Sequence, residues 1–162
     1  MAEGSQTTLT TAMKRIMREG TDLRNLPPEV GHIDSAGESE VVDWVGSIVG
    51  PPDTSYAEGT FPITIHFPES YPQTPFRLTF SAPVFHPRIS KDGEVWLAEL
   101  QEDEWSPVFT VRSVLVSLQA MLSDTRPVRG CVLNEEAAAL FLEDVAKFEI
   151  EASRWTAAHA VR

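Results

Sequence analysis

Apolar side chains near the start of the chain recur three or four positions apart, which is the repeat of one helix face. These residues are Leu9, Ala12, Met13, Ile16, Met17 and Leu23. Pro27 and Pro28 follow and cannot continue a helix. The pattern predicts a first helix that ends before Pro27.

Three later segments are predicted as strands, and in the second of them apolar residues alternate with polar or small ones. They run around Val41 to Val49, Thr60 to Phe67 and Arg77 to Phe80. Turn formers crowd positions 50–59, so we expect the first two strands to be antiparallel neighbours joined by a short loop. Pro62 cannot donate a ladder hydrogen bond, which implies a bulge or an unpaired side in its strand.

Helical patterns return in the second half of the chain. Thr110 is placed to cap a helix whose apolar face is Val111, Val114, Leu115, Leu118, Met121 and Leu122. A last helical region is predicted from Asn134 toward Ala160, because Glu135 and Glu136 suit the positive end of a helix dipole. A helix, then strands, then helices predicts the α+β class.

The length and composition of this 162-residue chain indicate its domain number, its location and the partners that it is not expected to have. We expect a single domain over residues 1–162 with its core at about 9–160, and no membrane span, because no run of about 18 apolar residues occurs. The N-terminus has no secretion leader, so a cytoplasmic or nuclear location is expected. A net charge of −11 argues against nucleic acid as a partner. Its four histidines are scattered and Cys131 is its one cysteine, so neither a metal nor a cofactor is expected.

Short motifs occur in a fixed order along nearly the whole chain. They are Lys14-Arg15-Ile16, Gly50-Pro51-Pro52-Asp53, His66-Phe67-Pro68-Glu69-Ser70-Tyr71-Pro72, Phe85-His86-Pro87, Gly93-Glu94-Val95, Trp105-Ser106-Pro107, Leu122-Ser123-Asp124 and Arg154-Trp155-Thr156. In this order they resemble the ubiquitin-conjugating enzyme family. The resemblance implies a four-stranded antiparallel sheet with an N-terminal helix, a central helix and C-terminal helices. It places the fourth strand near Phe85 or Val95.

The resemblance also locates the chemistry of the family. Its cysteine, which accepts ubiquitin as a thioester, follows a histidine–proline–asparagine tripeptide at a fixed offset. Here the tripeptide is His86-Pro87-Arg88, and the position of the cysteine is Trp96. Because indole has no nucleophilic atom suited to acyl transfer, we expect no thioester at this position.

Other departures from the family surround Trp96. Arg88 replaces an asparagine that steadies the oxyanion, and losing one such donor costs roughly 100- to 1000-fold in rate. The plain interpretation of Arg88 is an exposed charge beside Asp92 or Glu94. Ala98 replaces an aspartate, and Arg129 stands in a loop where the family has acids.

Two relocated nucleophiles are alternatives. Cys131 lies in the loop beside the same groove, where neighbouring arginines could lower its pKa, or it is an ordinary loop thiol. Ser90 or Ser106 would need His86 as a base, and no acid that would orient His86 is evident.

Partner surfaces of the family are matched in part. In relatives the first helix docks the activating enzyme and ligases, and its basic residues here are Lys14, Arg15 and Arg18. They either steer acidic partners or form an ordinary solvated face.

Two loops complete the surface that relatives use to bind ligases. In one, Gln73 replaces an aromatic anchor whose loss removes about 2 kcal/mol of binding. The other keeps Ser106 and Pro107 beside a tryptophan that serves either the loop or the core.

Three functional hypotheses follow. The first is a non-catalytic relative that binds an active conjugating enzyme, ubiquitin or a ubiquitin-like protein, or a ligase, with Trp96 either filling the old groove or anchoring a partner. The second is an active enzyme that uses Cys131. The third is a scaffold unrelated to ubiquitin.

Overall fold

A computed structural model describes residues 10–34 and 43–161 of the chain. Its helices are α1 Thr11–Leu23, α2 Val111–Ser123, α3 Glu135–Glu143 and α4 Val145–His159, and its strands are β1 Gly31–Ile33, β2 Asp43–Val49, β3 Thr60–His66 and β4 Arg77–Phe80. Leu9 and the predicted strand start at Val41 lie outside the described residues.

The four strands form one antiparallel sheet in the order β1-β2-β3-β4. The α+β class and the four-stranded sheet are therefore confirmed, but the predicted place of the fourth strand is wrong. It is β1, which precedes the other three and is too short to show alternation. Val95 makes only an isolated bridge to Ile89, in a segment where turns interrupt pairing.

Pro62 fits into β3 without a bulge. It lies opposite Ser47 in a continuous register between β2 and β3, and its carbonyl accepts a hydrogen bond from Ser81 N at 2.8 Å. Since β4 ends at Phe80, Pro62 faces no ladder partner there that would need its missing N–H. Of the two expected outcomes, the unpaired side is the one observed.

The core lies between one face of the sheet and α2. From the sheet it takes Trp44, Ile48, Phe61, Ile63, Ile65 and Leu78, and from α2 it takes Val114, Leu115, Leu118 and Leu122. Thr110 caps α2 as predicted, its side chain accepting from Ser113 N at 3.0 Å. At the C-terminal end Asp144 ends α3 and caps α4, so the predicted last helical region is two helices that meet at this residue.

Candidate functional site

An irregular segment between β4 and α2 holds His86, Arg88 and Trp96. Within it Gly93 has φ +87°, a left-handed conformation that favours glycine. Its carbonyl accepts from Phe80 N at 2.8 Å, which ties the segment to the end of β4. Trp96 N donates to the Arg88 carbonyl at 2.9 Å, so these two residues are neighbours across the turn.

The Trp96 side chain is half-buried between two hollows. The hollow on the α2 side has a volume of about 310 Å³ and is lined by Arg88, Trp96, Leu97, Ala98, Glu99, Ser117, Ala120, Met121 and Asp124. The other hollow, of about 380 Å³, lies against β4 and includes Arg77 and Leu78. Trp96 thus separates two open spaces and contributes to both.

Arg88 is not the exposed charge expected beside Asp92 or Glu94. Its side chain is only 17% exposed, and its Nη2 lies 3.9 Å from Oδ2 of Asp124, at the end of α2. The expectation was wrong because the turn that pairs Arg88 with Trp96 directs the guanidinium toward α2. A hydrogen bond from Arg126 chiefly lowers the pKa of Asp124, and the charge of Arg88 lowers it further.

Two polar atoms in the α2-side hollow have no hydrogen-bond partner among the described residues. They are Nε of Arg88 and Oε2 of Glu99, and both are buried. A buried donor or acceptor without a partner costs about 1–3 kcal/mol.

His86 is fully buried and both ring nitrogens are engaged. Its Nδ1 accepts from Arg88 N at 3.0 Å, and its Nε2 is 3.0 Å from the Met121 carbonyl, so Nε2 carries the proton. Burial lowers the pKa of His86 to about 4, which keeps the ring neutral near pH 7. No ring nitrogen is left to take a proton from Ser90 or Ser106, and the hydroxyl hypothesis loses its base.

Cys131 is also largely buried, with 9% of its surface exposed. Its backbone N–H donates to the Val128 carbonyl at 3.0 Å, within a loop that is joined to Pro87 through Leu133 N. The thiol residue lines neither of the two hollows beside Trp96.

The basic residues of α1 do not form one exposed set. Lys14 and Arg18 are exposed, whereas the Arg15 side chain is 22% exposed and turned inward. Arg15 donates to Glu19 at 3.2 Å and to the Phe109 carbonyl at 2.8 Å, and its guanidinium lies over the Tyr71 ring. Arg15 therefore holds α1 against the loop that precedes α2.

The two loops matched to the ligase surface are joined to each other. Trp105 Nε1 donates to the Pro72 carbonyl at 2.8 Å, and the Trp105 ring packs against the core. This bond places Gln73 beside the loop of Ser106 and Pro107, with Gln73 and Pro107 exposed and Ser106 half-buried. The tryptophan thus serves the loop and the core at once.

Sequence reasoning missed Glu19, a buried carboxylate at the junction of these elements. It accepts hydrogen bonds from Arg15, from the Tyr71 hydroxyl and from Val111 N. The signal was present, since Glu19 lies three positions after Ile16 and four before Leu23, on the apolar face of α1. A charged side chain on the buried face of a helix is expected only where hydrogen-bond or ion-pair partners compensate for the cost of burial.

Comparison with known proteins agrees with this architecture. The sequence model of the family described as "Ubiquitin-conjugating enzyme" matches residues 15–156. The solved E2 domain of a Toxoplasma gondii ubiquitin-conjugating enzyme is 34% identical to the chain with a TM-score of 0.81, and the match covers 91% of this chain and 98% of that one. The chain belongs to the ubiquitin-conjugating enzyme family, and its fold is an E2-like domain of the ubiquitin pathway.

No helix within residues 10–34 and 43–161 has the length and apolarity needed to cross a membrane.

Proposed function

We propose that this chain is a non-catalytic member of its family that acts by binding an active conjugating enzyme, ubiquitin or a ubiquitin-like protein, or a ligase. The observation that carries the proposal is Trp96, which stands where the family has its cysteine. An indole cannot take up an acyl group, so the usual transfer has no first step at this position. The proposal implies action in the cytoplasm or the nucleus.

The surroundings of Trp96 support the proposal. Arg88 replaces the oxyanion donor of the family and is drawn toward Asp124, while Nε of Arg88 and Oε2 of Glu99 lack partners in the hollow beside the indole. A half-buried amphipathic ring that borders two open hollows is suited to holding a peptide segment without reacting with it.

A relocated nucleophile at Cys131 is the competing explanation. Its burial at 9% exposure and its absence from the residues that line the hollows beside Trp96 weigh against it, because an acyl acceptor must meet the modifier's C-terminus in the open.

A charging assay separates these two functions. The protein is incubated with activating enzyme, ATP and ubiquitin, and a thiol-sensitive adduct is sought on non-reducing gels, with an active conjugating enzyme as the positive control. We expect no adduct in the natural protein or in Cys131→Ser. An adduct that forms in the natural protein and disappears in Cys131→Ser would establish the enzyme.

Binding is tested by NMR titration of the labelled protein with ubiquitin, with an active conjugating enzyme and with a ligase domain. We expect one of these to perturb the signals near Trp96 or on the exposed side of α1. Lys14→Ala and Arg18→Ala are suitable variants, whereas Arg15 is unsuitable because it also holds α1 in place. If none of the three proteins perturbs any signal, the chain is a scaffold unrelated to ubiquitin and the proposal fails.

A further inference from the structure

An open groove runs along α4 on a part of the molecule that the proposed function does not use. One wall is the loop between β2 and β3, at Asp53, Thr54 and Ser55, and the other is the outer face of α4. The groove has a volume of about 730 Å³. It is lined from α4 by Ala146, Glu149, Ile150, Ser153, Arg154 and Ala157.

The α4 side of the groove is open to solvent and presents the apolar residues Ala146, Ile150 and Ala157 between polar ones. Phe148, Ala152 and Thr156 bury the opposite face of the helix, so the face with Ile150 has no cover among the described residues. Ile150 is 61% exposed, although burying such a side chain is worth about 1.5–3 kcal/mol. Ala146 and Ala157 lie on the same face at helical spacing and leave room above the backbone.

The loop wall is held in place by its own hydrogen bonds. Thr54 Oγ1 donates to the Pro51 carbonyl at 2.7 Å and accepts from Tyr56 N at 3.2 Å. Tyr56 is buried, and its hydroxyl donates to the Phe85 carbonyl at 2.6 Å. The groove is therefore formed before any partner arrives.

The charges that line the groove favour a partner with basic side chains. Asp53 and Glu149 stand on opposite walls, and neither has an ion-pair partner among the described residues. Arg154, the basic residue of the lining, is paired with Glu151 at 3.0 Å. Six acidic and two basic residues lie between positions 135 and 159, so the surroundings are acidic as well.

We propose that this groove binds an amphipathic helix of a partner protein, with its apolar face on Ile150 and basic side chains facing Asp53 and Glu149. A helix of similar length to α4, about 15 residues or 22 Å, would span the groove. Opposite charge on both walls would fix its position and speed its arrival. The acidic chain disfavours a second copy of itself or an anionic membrane surface as the occupant.

The test uses two synthetic helical peptides of about 15 residues, each with leucines along one face and with either lysines or glutamates along both edges. Titration of the labelled full chain is followed by NMR. We expect the lysine peptide to shift signals at 53–55 and 146–157 and to bind at least about tenfold more tightly than the glutamate peptide.

Variants assign the contact. Ile150→Asp should weaken binding of the lysine peptide at least about tenfold, and Asp53→Asn combined with Glu149→Gln should weaken it about fivefold and reduce its salt dependence. Val116→Asp, at a 48% exposed position of α2, is the matched control and should leave binding unchanged. All of these positions are exposed, and circular dichroism verifies that each variant is folded.

Several results would overturn the proposal. They are equal affinity for the two peptides, shifts confined to other surfaces, and unchanged binding in Ile150→Asp. Dimerisation of the free chain in sedimentation experiments that Ile150→Asp abolishes would assign the groove to a second copy instead. Because Trp96 plays no part in this groove, failure here would leave the proposed function untouched, and the charging assay does not bear on the groove.

Discussion

The Glu19 carboxylate of α1 accepts a hydrogen bond from the backbone amide of Val111, with Oε1 2.7 Å from the nitrogen. Val111 is the first residue of α2, so a negative charge lies at the positive end of the central helix. The other carboxylate oxygen accepts from Arg15 and from the Tyr71 hydroxyl. One side chain, 4% exposed, thus joins the first helix, the central helix and a loop of the candidate partner surface.

Replacing Glu19 by alanine should therefore be costly. The change leaves the Arg15 guanidinium, the Tyr71 hydroxyl and the Val111 amide without their shared acceptor, and removing one partner of such a buried pair costs about 3 kcal/mol. Urea unfolding measures the loss. Tyr71→Phe is the matched control, because it removes one of the three hydrogen bonds and should cost about 1 kcal/mol. A Glu19→Ala loss no larger than that of Tyr71→Phe would contradict the central role of the carboxylate.

Two glycines with the same backbone conformation should respond differently to alanine. Gly93 and Gly130 both have φ +87°, but a Cβ at Gly93 would overlap the Phe80 carbonyl oxygen, whereas a Cβ at Gly130 would meet nothing within 4 Å. Gly130→Ala should cost about 1 kcal/mol for the left-handed backbone alone. Gly93→Ala should cost about 2 kcal/mol more and should shift the indole N–H NMR signal of Trp96, because the turn that carries Trp96 must move. Thermal unfolding measures both losses of stability, and equal losses in the two variants would contradict a steric cost at Gly93.

The stability of the folded protein should fall as the solution is acidified, because His86 is held neutral in the core. Burial lowers its pKa to about 4 in the folded protein, below the ordinary value of about 6.5 that the unfolded chain retains. The unfolded state therefore binds a proton first, so the contribution of His86 is complete above about pH 6.5 and is lost as pH falls toward 4. Between about pH 7.5 and pH 5 the free energy of unfolding should drop by about 2 kcal/mol from this group.

Urea titrations at several pH values test the effect of His86. His86→Gln should be less stable at neutral pH but should lose most of this pH dependence. An equally steep slope in that variant would assign the effect to other groups.

The parts of the fold that the sequence predicts well are those in which local and tertiary signals agree. Thr110 is followed by an apolar face at helical spacing, and it caps α2 at the expected residue. β1 escaped prediction because three residues cannot display a repeat, and its pairing with β2 is decided by tertiary contacts. Arg15 was placed on an exposed surface because spacing along one helix cannot show that Glu19 and the Phe109 carbonyl draw its guanidinium inward.

The candidate site also has a part that the sequence predicts and a part that it does not. The positions of Trp96 and Arg88 in the site can be predicted, since the sequence motifs around them fix the alignment with the family. That Arg88 lies beside Asp124, 36 residues farther on, depends on how the end of α2 meets the turn of Trp96, which no local pattern encodes. The same holds for Nε of Arg88 and Oε2 of Glu99, whose lack of partners emerges only in three dimensions.

Restoring the missing sulfur should not by itself restore ubiquitin transfer. In Trp96→Cys the thiol would occupy the family position, but Arg88 would still replace the oxyanion donor and would stay oriented toward Asp124. Without that donor, discharge to lysine should be at least about 100-fold slower than in an active relative, even if a thioester forms. Arg129 would add repulsion against an incoming lysine.

Single-turnover discharge to free lysine measures the rate of Trp96→Cys. Adding Arg88→Asn to Trp96→Cys should recover about tenfold or more, because the asparagine amide can again donate to the oxyanion. Arg77→Asn, on the opposite side of the indole and 70% exposed, is the matched control and should recover nothing. Near-normal lysine transfer by Trp96→Cys alone would contradict this prediction and would mean that the substitutions around the indole do not impair catalysis.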